Sequence, residues 1–415
     1  MKQELTVKRE EYRLSLRVLN AGATFLHRLG FPFGQLAEAS LLAGARKATG
    51  LEDWGGEHFL EPLRVMIDDV ENSDLTSLAR ISTRDIGLHC LSNRLRLTDY
   101  FKKHPHVAQH DIKRPVFILG FPRTGTTLLQ NLLSLDPARR ALPFWEIMNP
   151  VPFHDDPERD IKARIRAANA KLRIAYWVLP EMAQVHEIRA ESLEECWPLL
   201  ANGFTVMAWD MASGWRNYGA WLLNHDMDKS YAEYRQCLQV MAQRQPESGF
   251  VLKCPDHMWF VDSLLENFPD ACIVWTHRDP VASIASYCSL ISLNWRLMYG
   301  RFDPVEVGHH IENQFLNGIE RAMAVRDRVG EDRFFDVDFV ELCNEPQRIV
   351  GEITQHFGLT SIAPEAIDGY LNTKRQDAKG AHKYSIERYG LDPARIYERY
   401  RTYIDRFNIP IKERE

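Results

Sequence analysis

The chain has 415 residues and a formal net charge of −6, with 45% hydrophobic and 26% charged residues. This length allows one large or two ordinary domains with a substantial core, and the composition is that of a globular protein. The acidic balance argues against a general nucleic-acid binder, because such proteins carry a basic surface.

Cysteine spacing and apolar segments indicate where the protein works. The seven cysteines are odd in number and never spaced as C-x-x-C, which favours free thiols in a reducing compartment over a disulfide framework or a zinc site. The first residues contain no signal-peptide core, and no apolar run approaches the ~18 residues of a spanning helix. We therefore expect a cytoplasmic protein with no membrane span.

Residues 1–112 are predicted to form an all-helical N-terminal extension. Its first helix carries an apolar stripe at helical spacing, formed by Leu14, Val18, Ala21, Phe25 and Leu29. Such a stripe either packs in a core or an interface, or it meets lipid or a hydrophobic substrate. The sequence leaves both explanations open, and it leaves a homo-oligomer open as well.

A strand, a glycine loop and a helix follow one another after residue 115. Val116–Leu119 is a short apolar run of the kind that is buried on both faces of a parallel sheet. Gly120 and Gly125 have the spacing of a P-loop, with Thr127 in the Ser/Thr position. Such a loop binds an anion with backbone N–H groups at a helix N-terminus.

This loop departs from that of a nucleoside triphosphatase. Thr126 occupies the place of the Lys that such an enzyme needs on the β- and γ-phosphates, and Arg123 is the cation of the loop. We therefore expect an anion of lower charge, bound without a metal. The predicted binding residues are Arg123, Thr124, Gly125, Thr126 and Thr127.

A family resemblance rests on this loop. The segment Gly120-Phe121-Pro122-Arg123-Thr124-Gly125-Thr126-Thr127-Leu128-Leu129 resembles the 5′-phosphosulfate-binding loop of the sulfotransferases, in the bacterial and tyrosyl-protein-like branch. The resemblance implies 3′-phosphoadenosine 5′-phosphosulfate as donor. It also implies an α/β fold over residues 113–415, with a three-layer, P-loop NTPase-like parallel sheet flanked by helices.

Glu146 follows the loop at about the distance of the general base in the tyrosyl-protein branch. A carboxylate near a bound sulfuryl group can take the proton of the acceptor hydroxyl. Phe144 and Trp145 would raise its pKa towards the working range. An exposed or capping Glu is the alternative.

The middle section offers further acidic groups and many tryptophans. His186 and Glu187 could face the acceptor, whereas Glu194 and Glu195 are predicted to lie in a first helical turn, where carboxylates favour the helix dipole. The Trp-rich stretch from residue 177 to 221 favours an apolar or amphipathic small-molecule acceptor.

A second buried strand, from residue 249 onwards, ends at Lys253. Residues at the carboxyl ends of parallel strands line the ligand crevice, so Lys253 is expected beside the glycine loop. The segment resembles the Lys-containing segment of the same branch, and an ammonium group there would neutralise charge on the leaving bridge oxygen. His257 could orient the acceptor or act as an alternative base, although a single His is more often structural.

A third buried strand, from residue 271 to 276, ends just before Arg278. Arg278 and Ser286 are eight residues apart, which resembles the 3′-phosphate-binding segment of the family. Arg278 offers a planar fork of donors to a phosphate, and Ser286 lies about two helical turns into the next helix. A fourth strand is predicted at residues 334–340. Lys379-Gly380 is either a basic loop over the donor nucleotide or a solvated turn.

These observations predict a sulfotransferase that moves a sulfuryl group from 3′-phosphoadenosine 5′-phosphosulfate to a hydroxyl or amine by in-line displacement, without a metal. Glu146, Lys253 and His257 are the candidate catalytic residues. A P-loop nucleotide kinase or NTPase and a non-catalytic nucleotide-binding protein of the same fold are the alternatives. The prediction requires the loop and the Arg278 segment to converge on one nucleotide.

Overall fold

A five-stranded parallel sheet lies at the centre of the fold. The computed structural model describes residues 10–11, 14–29, 34, 36–185, 187–376 and 385–411. The strands in these ranges are β1 (Glu10–Glu11), β2 (Val116–Leu119), β3 (Arg139–Arg140), β4 (Gly249–Lys253), β5 (Cys272–His277), β6 (Arg301–Phe302) and β7 (Phe334–Asp338). The main sheet has the order β3-β4-β2-β5-β7 with every pair parallel, whereas β1 and β6 form a separate antiparallel pair.

Side-chain alternation along the strands produces three layers. In β2, Val116 and Ile118 belong to one apolar cluster, and Phe117 and Leu119 belong to another. Because successive side chains of a strand face opposite sides, helices cover both faces of this sheet. The predicted three-layer α/β fold with a parallel sheet is confirmed.

Helices make up most of the described residues. The first ten are α1 (Leu14–Arg28), α2 (Glu38–Thr49), α3 (Leu60–Glu71), α4 (Ser77–Lys103), α5 (Thr126–Leu133), α6 (Phe144–Met148), α7 (Pro157–Val178), α8 (Met182–Val185), α9 (Trp197–Ala201) and α10 (Met207–Ser213). The others are α11 (Arg216–Leu222), α12 (Asp228–Ala242), α13 (Val261–Asn267), α14 (Pro280–Tyr299), α15 (Pro304–Val329), α16 (Phe339–Asn344), α17 (Pro346–His356), α18 (Pro364–Gln376), α19 (Pro393–Arg399) and α20 (Arg401–Arg406).

The N-terminal helices share their apolar core with the sheet. One cluster contains Leu41, Leu63 and Leu91 of α2, α3 and α4 together with Phe117 and Trp275 of the sheet. β1 adds a two-residue strand to a region predicted as all helical. A domain boundary at residue 112 stays a prediction, since the core is continuous across it.

The four strands predicted from apolar runs are present as β2, β4, β5 and β7. β3 escaped prediction because its two arginines carry no apolar signal, and its pairing with β4 defines it. Within the described residues, no helix combines the length and the apolar character needed to cross a membrane. The carboxyl ends of β2, β4 and β5 bring the glycine loop, Lys253 and Arg278 to one edge of the sheet.

Candidate active site

The glycine loop has a backbone conformation that requires glycine at two positions. Gly120 has a φ of +133° and Gly125 a φ of +91°, which residues with a side chain rarely adopt. A Cβ at Gly120 would lie 2.2 Å from Thr276 Oγ1, so only glycine allows this approach to β5. Arg123, between the two, also has a positive φ of 77°. The loop is therefore held in its conformation by its surroundings.

Hydroxyl groups hold this loop against β5. Thr124 Oγ1 donates to the Phe121 carbonyl oxygen at 2.7 Å and lies 2.6 Å from Thr276 Oγ1. The Thr276 hydroxyl in turn donates to the Leu119 carbonyl oxygen at 3.2 Å. The side chain of Thr124 is buried by these contacts and shapes the loop, whereas residues 125–127 line a cavity at the N-terminus of α5. The first N–H groups of a helix have no acceptor within it and are free to bind an anion.

The two predicted anion-binding segments touch each other. Arg278 Nη1 donates to the Arg123 carbonyl oxygen at 2.6 Å, and Arg123 Nε donates to Ser286 Oγ at 3.1 Å. The Arg278 guanidinium also lies 4.2 Å from the centre of the Phe339 ring, a cation–π contact that fixes its plane. The two segments therefore form one continuous surface with two guanidinium groups.

Lys253 reaches the loop from the end of β4. Its Nζ lies 3.4 Å from Thr127 Oγ1 and 3.1 Å from Glu195 Oε1. Its side chain is only 2% exposed, and the ion pair with Glu195 offsets the cost of burying the ammonium group. Glu195 comes beside Lys253 because the backbone N–H of Cys196 donates to the Lys253 carbonyl oxygen at 3.0 Å.

One cavity of about 530 Å³ collects these groups. Its cationic part consists of Arg123, Arg278 and residues 125–127, with Lys253 directly behind Thr127. Its apolar part includes Phe144, Trp197, Trp209, Leu290 and Met298. Glu195 lines the same cavity. This lining suits a ligand pair in which one molecule is anionic and the other apolar.

Glu146 lies outside this cavity. It is 1% exposed, forms an ion pair with Arg140, and has Arg244 Nη1 4.0 Å from its carboxylate. Phe144, two positions earlier on α6, does line the cavity, and residues two positions apart on a helix point in nearly opposite directions. This position corrects the expectation that Glu146 faces the transferring group.

His257 is also turned away from the cavity. Its ring is fully buried, with Nδ1 2.8 Å from the Tyr231 hydroxyl and Nε2 3.5 Å from Cys196 Sγ. Both ring nitrogens are thus engaged, and the Phe117 ring packs edge-on against the imidazole. These contacts correct the expectation that His257 orients the acceptor.

The fold joins cysteines that are far apart in the sequence. Among the described residues, Cys196, Cys254 and His257 are buried close together. Their sulfur and ring-nitrogen atoms lie within 4.8 Å of one another, a spacing at which they could bind a metal ion. The two cysteines follow Glu195 and Lys253 directly in the chain. A buried cluster of two thiols and an imidazole therefore lies behind the Lys253–Glu195 pair. A search for C-x-x-C spacing could not find it, because the two cysteines are far apart in the sequence.

Sequence reasoning missed Glu195. The helix α9 begins at Trp197, so neither Glu194 nor Glu195 lies in its first turn, and the predicted capping role is wrong. The contact of Glu195 with Lys253 spans 58 positions of the chain. No local pattern marks such a residue, because only the packing of its segment against β4 defines its neighbour.

Other predicted residues lie apart from the cavity or outside the described residues. Glu187 is exposed and pairs with Arg189 at 3.1 Å. His186 and the Lys379-Gly380 segment lie outside the described residues. Of the middle-section tryptophans, Trp197 and Trp209 line the cavity.

Comparisons with known proteins show the family. The family model described as "Sulfotransferase family" matches residues 115–364. Omega-hydroxy-beta-dihydromenaquinone-9 sulfotransferase Stf3, from Mycobacterium tuberculosis and from Mycobacterium bovis, is 24% identical over 305 residues, which are 71% of this chain and 74% of that protein.

Two solved structures have a similar fold over nearly their whole length. Sulfotransferase STF1 from Mycobacterium tuberculosis is 31% identical with a TM-score of 0.78, covering 88% of this chain and 98% of that chain. Sulfotransferase STF9 from Mycobacterium avium is 28% identical with a TM-score of 0.81, covering 91% and 98%. Because the family model covers more than half of the sequence, and STF1 is similar in sequence and fold, this chain belongs to the sulfotransferase family.

Proposed function

We propose that the protein transfers a sulfuryl group from 3′-phosphoadenosine 5′-phosphosulfate to a hydroxyl or amine of an apolar small molecule, in the cytoplasm. The observation that carries this proposal is the contact between the two anion-binding segments. Arg278 donates to the Arg123 carbonyl, and Arg123 donates to Ser286. A nucleotide with phosphate groups on its 3′ and 5′ positions can therefore contact both segments at once.

Each segment has a role in binding this donor. Arg278 and Ser286 bind the 3′-phosphate, and Arg278 supplies the charge that selects this nucleotide over one without a 3′-phosphate. The backbone of Arg123, Thr124, Gly125, Thr126 and Thr127, with the Arg123 and Thr127 side chains, binds the 5′-phosphosulfate. The missing Cβ at Gly120 supports this fit, because the loop can lie close against β5 and keep its N–H groups directed at the ligand.

Two side chains carry the chemistry in this proposal. Glu195 takes the proton of the acceptor hydroxyl while the acceptor oxygen forms its bond to sulfur. The bond between sulfur and the bridging oxygen breaks, and Lys253 neutralises the negative charge that this oxygen acquires as it leaves on adenosine 3′,5′-bisphosphate. The 3.1 Å contact between Lys253 and Glu195 and the 3.4 Å contact between Lys253 and Thr127 support this division of roles.

The apolar part of the cavity supports an apolar acceptor. Phe144, Trp197, Trp209, Leu290 and Met298 offer carbon surface beside Glu195 and the loop. The Stf3 relatives are named for an omega-hydroxylated dihydromenaquinone, an apolar molecule with a hydroxyl group. We propose an acceptor of the same general kind, a hydroxyl at the end of an apolar chain or ring system.

Ligand-dependent stability tests the donor. Adenosine 3′,5′-bisphosphate without metal should raise the Tm, because a ligand that binds the folded state stabilises it by mass action. ATP with Mg²⁺ should have a much smaller effect. The opposite order would favour the nucleotide kinase or NTPase.

A labelled-donor assay against native metabolite extracts, with mass spectrometry of the products, tests transfer. Appearance of a sulfated product is the expected result. Binding of adenosine 3′,5′-bisphosphate without sulfation of any extract would favour a non-catalytic nucleotide-binding protein.

A further inference from the structure

Helix α1 is amphipathic with its apolar side outwards. Leu14, Val18, Phe25 and Leu29 lie on one stripe and are 58–75% exposed. The polar side chains of Asn20 and Thr24 face the protein instead, where Thr24 Oγ1 lies 2.7 Å from Ser77 Oγ and Asn20 Oδ1 accepts from the Leu78 backbone N–H at 3.2 Å. A helix packed only for a water-soluble fold has the reverse orientation.

Exposed apolar residues concentrate around this helix. Among the described residues, thirteen large apolar side chains are exposed. Ten of them lie on α1, α4 and α7 or at Leu29, the residue directly after α1. Single exposed apolar residues are normal, but a concentrated set marks a binding surface. We call these ten the apolar face: Leu14, Val18, Leu19, Phe25, Leu26, Leu29, Ile81, Ile86, Ile174 and Trp177.

The apolar face adjoins the apolar part of the cavity. Ile86 of α4 belongs to both, since it is 41% exposed and lines the cavity. Met182, just after α7, also lines the cavity, and Trp177 lies in the last turn of α7. Lys171 of α7 pairs with Asp85 of α4 at 3.6 Å, so the two helices lie close to each other beside Ile86.

The sequence around the apolar face is basic. Residues 14–26 and 166–178 contain Arg17, Arg166, Lys171 and Arg173 and no Asp or Glu, and residues 80–86 of α4 contain two arginines and one acid, Asp85, in a chain whose net charge is −6. Basic residues mixed with exposed Leu, Phe and Trp are the pattern of helices that lie in the interface of an anionic bilayer. If two copies of the chain met through this face, their basic segments would lie opposite each other and repel.

We propose that the apolar face binds the surface of an anionic lipid bilayer, with the residues of α1 inserted at the level of the headgroups. A bilayer satisfies both features of this surface, because its acyl chains meet the apolar side chains and its headgroups meet the arginines and lysines. The proposed function adds the purpose: an apolar acceptor dissolved in the bilayer would enter the cavity beside Ile86 without crossing water.

Vesicle flotation of the full chain tests this binding. The wild type should float with vesicles of phosphatidylcholine and phosphatidylglycerol and much less with phosphatidylcholine alone. The double variant Val18→Glu/Phe25→Glu should bind the anionic vesicles about tenfold or more weakly, because it places carboxylates against the headgroups and removes apolar side chains that would insert into the bilayer. Val329→Glu, at an exposed apolar residue outside the apolar face, is the matched control and should bind as the wild type does.

Three results would overturn the proposal. The first is that the wild type does not bind anionic vesicles, and the second is that the double variant binds them as well as the control does. The third is that the wild type sediments as a dimer and the double variant as a monomer, which would mean that a second copy covers the apolar face. Fluorescence quenching by brominated lipid gives a second readout, and Trp177→Ser should reduce it. Stabilisation by adenosine 3′,5′-bisphosphate should be the same in all variants, so a failed donor assignment and a failed membrane assignment give different results.

Discussion

The cationic part and the apolar part of the cavity are built in different ways. The cationic part comes from short segments at the carboxyl ends of parallel strands: residues 120–127 after β2, Lys253 at the end of β4 and Arg278 after β5. The apolar part comes from side chains on α6, α9, α10 and α14, which are distant in the sequence. In the proposed function, the sheet therefore sets donor binding, whereas helix packing, which can change while the sheet stays the same, sets the choice of acceptor.

Replacing Glu195 is the most severe test, because this residue lies where the two parts meet. We expect Glu195→Gln to lower kcat by roughly 10²–10⁴-fold, the usual worth of a general base, with little change in donor affinity.

Glu146→Gln is the matched control for Glu195→Gln. It should reduce the free energy of unfolding, because it leaves the buried Arg140 without its charged partner, and it should largely preserve kcat in the protein that remains folded. The reverse pattern, with catalysis lost only in Glu146→Gln, would restore Glu146 as the base.

Replacing Lys253 tests whether the cationic part acts in chemistry as well as in binding. Lys253→Ala should lower kcat by roughly 10²–10³-fold, since a preorganised charge on the leaving oxygen is lost. The exposed Lys229→Ala on α12 is the control and should leave kcat unchanged. Unaltered turnover in Lys253→Ala would remove Lys253 from the mechanism.

Replacing Arg278 tests the donor site alone. Arg278→Ala should raise the dissociation constant of adenosine 3′,5′-bisphosphate by about 10–100-fold, the worth of charge-assisted hydrogen bonds to a phosphate. The Tm without ligand should stay close to that of the wild type. Arg348→Ala, at an arginine paired with three surface carboxylates, should leave donor binding intact. Equal donor affinity in both variants would contradict the 3′-phosphate assignment.

The smallest effect concerns Asp336, which contacts His277 at the end of β5. Burial would raise the pKa of Asp336, but hydrogen bonds from His277 and Arg326 lower it to about 2. Because the folded-state pKa lies below the unfolded value, this carboxylate stabilises the fold above about pH 4, and the stabilisation is lost as the pH falls towards 2. Solvent screening of this partly exposed group limits the contribution to about 1 kcal/mol.

Urea unfolding of the wild type and Asp336→Asn should therefore differ by about 1 kcal/mol at pH 6, and this difference should shrink as the pH falls from about 4 to about 2. A difference that stays constant with pH would mean that the charge of Asp336 does not contribute to stability.

The cationic part could be predicted because its determinants are local. The spacing of Gly120 and Gly125, the apolar run before them and the Arg278–Ser286 interval are all visible within a few residues. The sheet followed from the same apolar runs, apart from β3, whose charged residues form a strand only through pairing with β4.

The proposed base, Glu195, could not be predicted because its position depends on long-range contacts. Glu146 has the expected spacing from the loop, yet a turn of α6 directs it towards Arg140. Glu195 has no local signature, and a main-chain hydrogen bond of Cys196 brings it to Lys253. Similarly, the apolar stripe of α1 was visible in the sequence, but its outward orientation depends on how Asn20 and Thr24 contact α4.

The hydrogen bond from the Cys196 N–H to the Lys253 carbonyl has a consequence for substrate range. It links the residue after Glu195, the proposed base, directly to Lys253, the proposed charge stabiliser, so one main-chain hydrogen bond sets the spacing of the two side chains. In the proposed function, the helices that line the apolar part of the cavity could therefore repack around a bulkier or slimmer acceptor without changing the spacing of this pair. The shape of the acceptor could thus vary while the reaction stays the same.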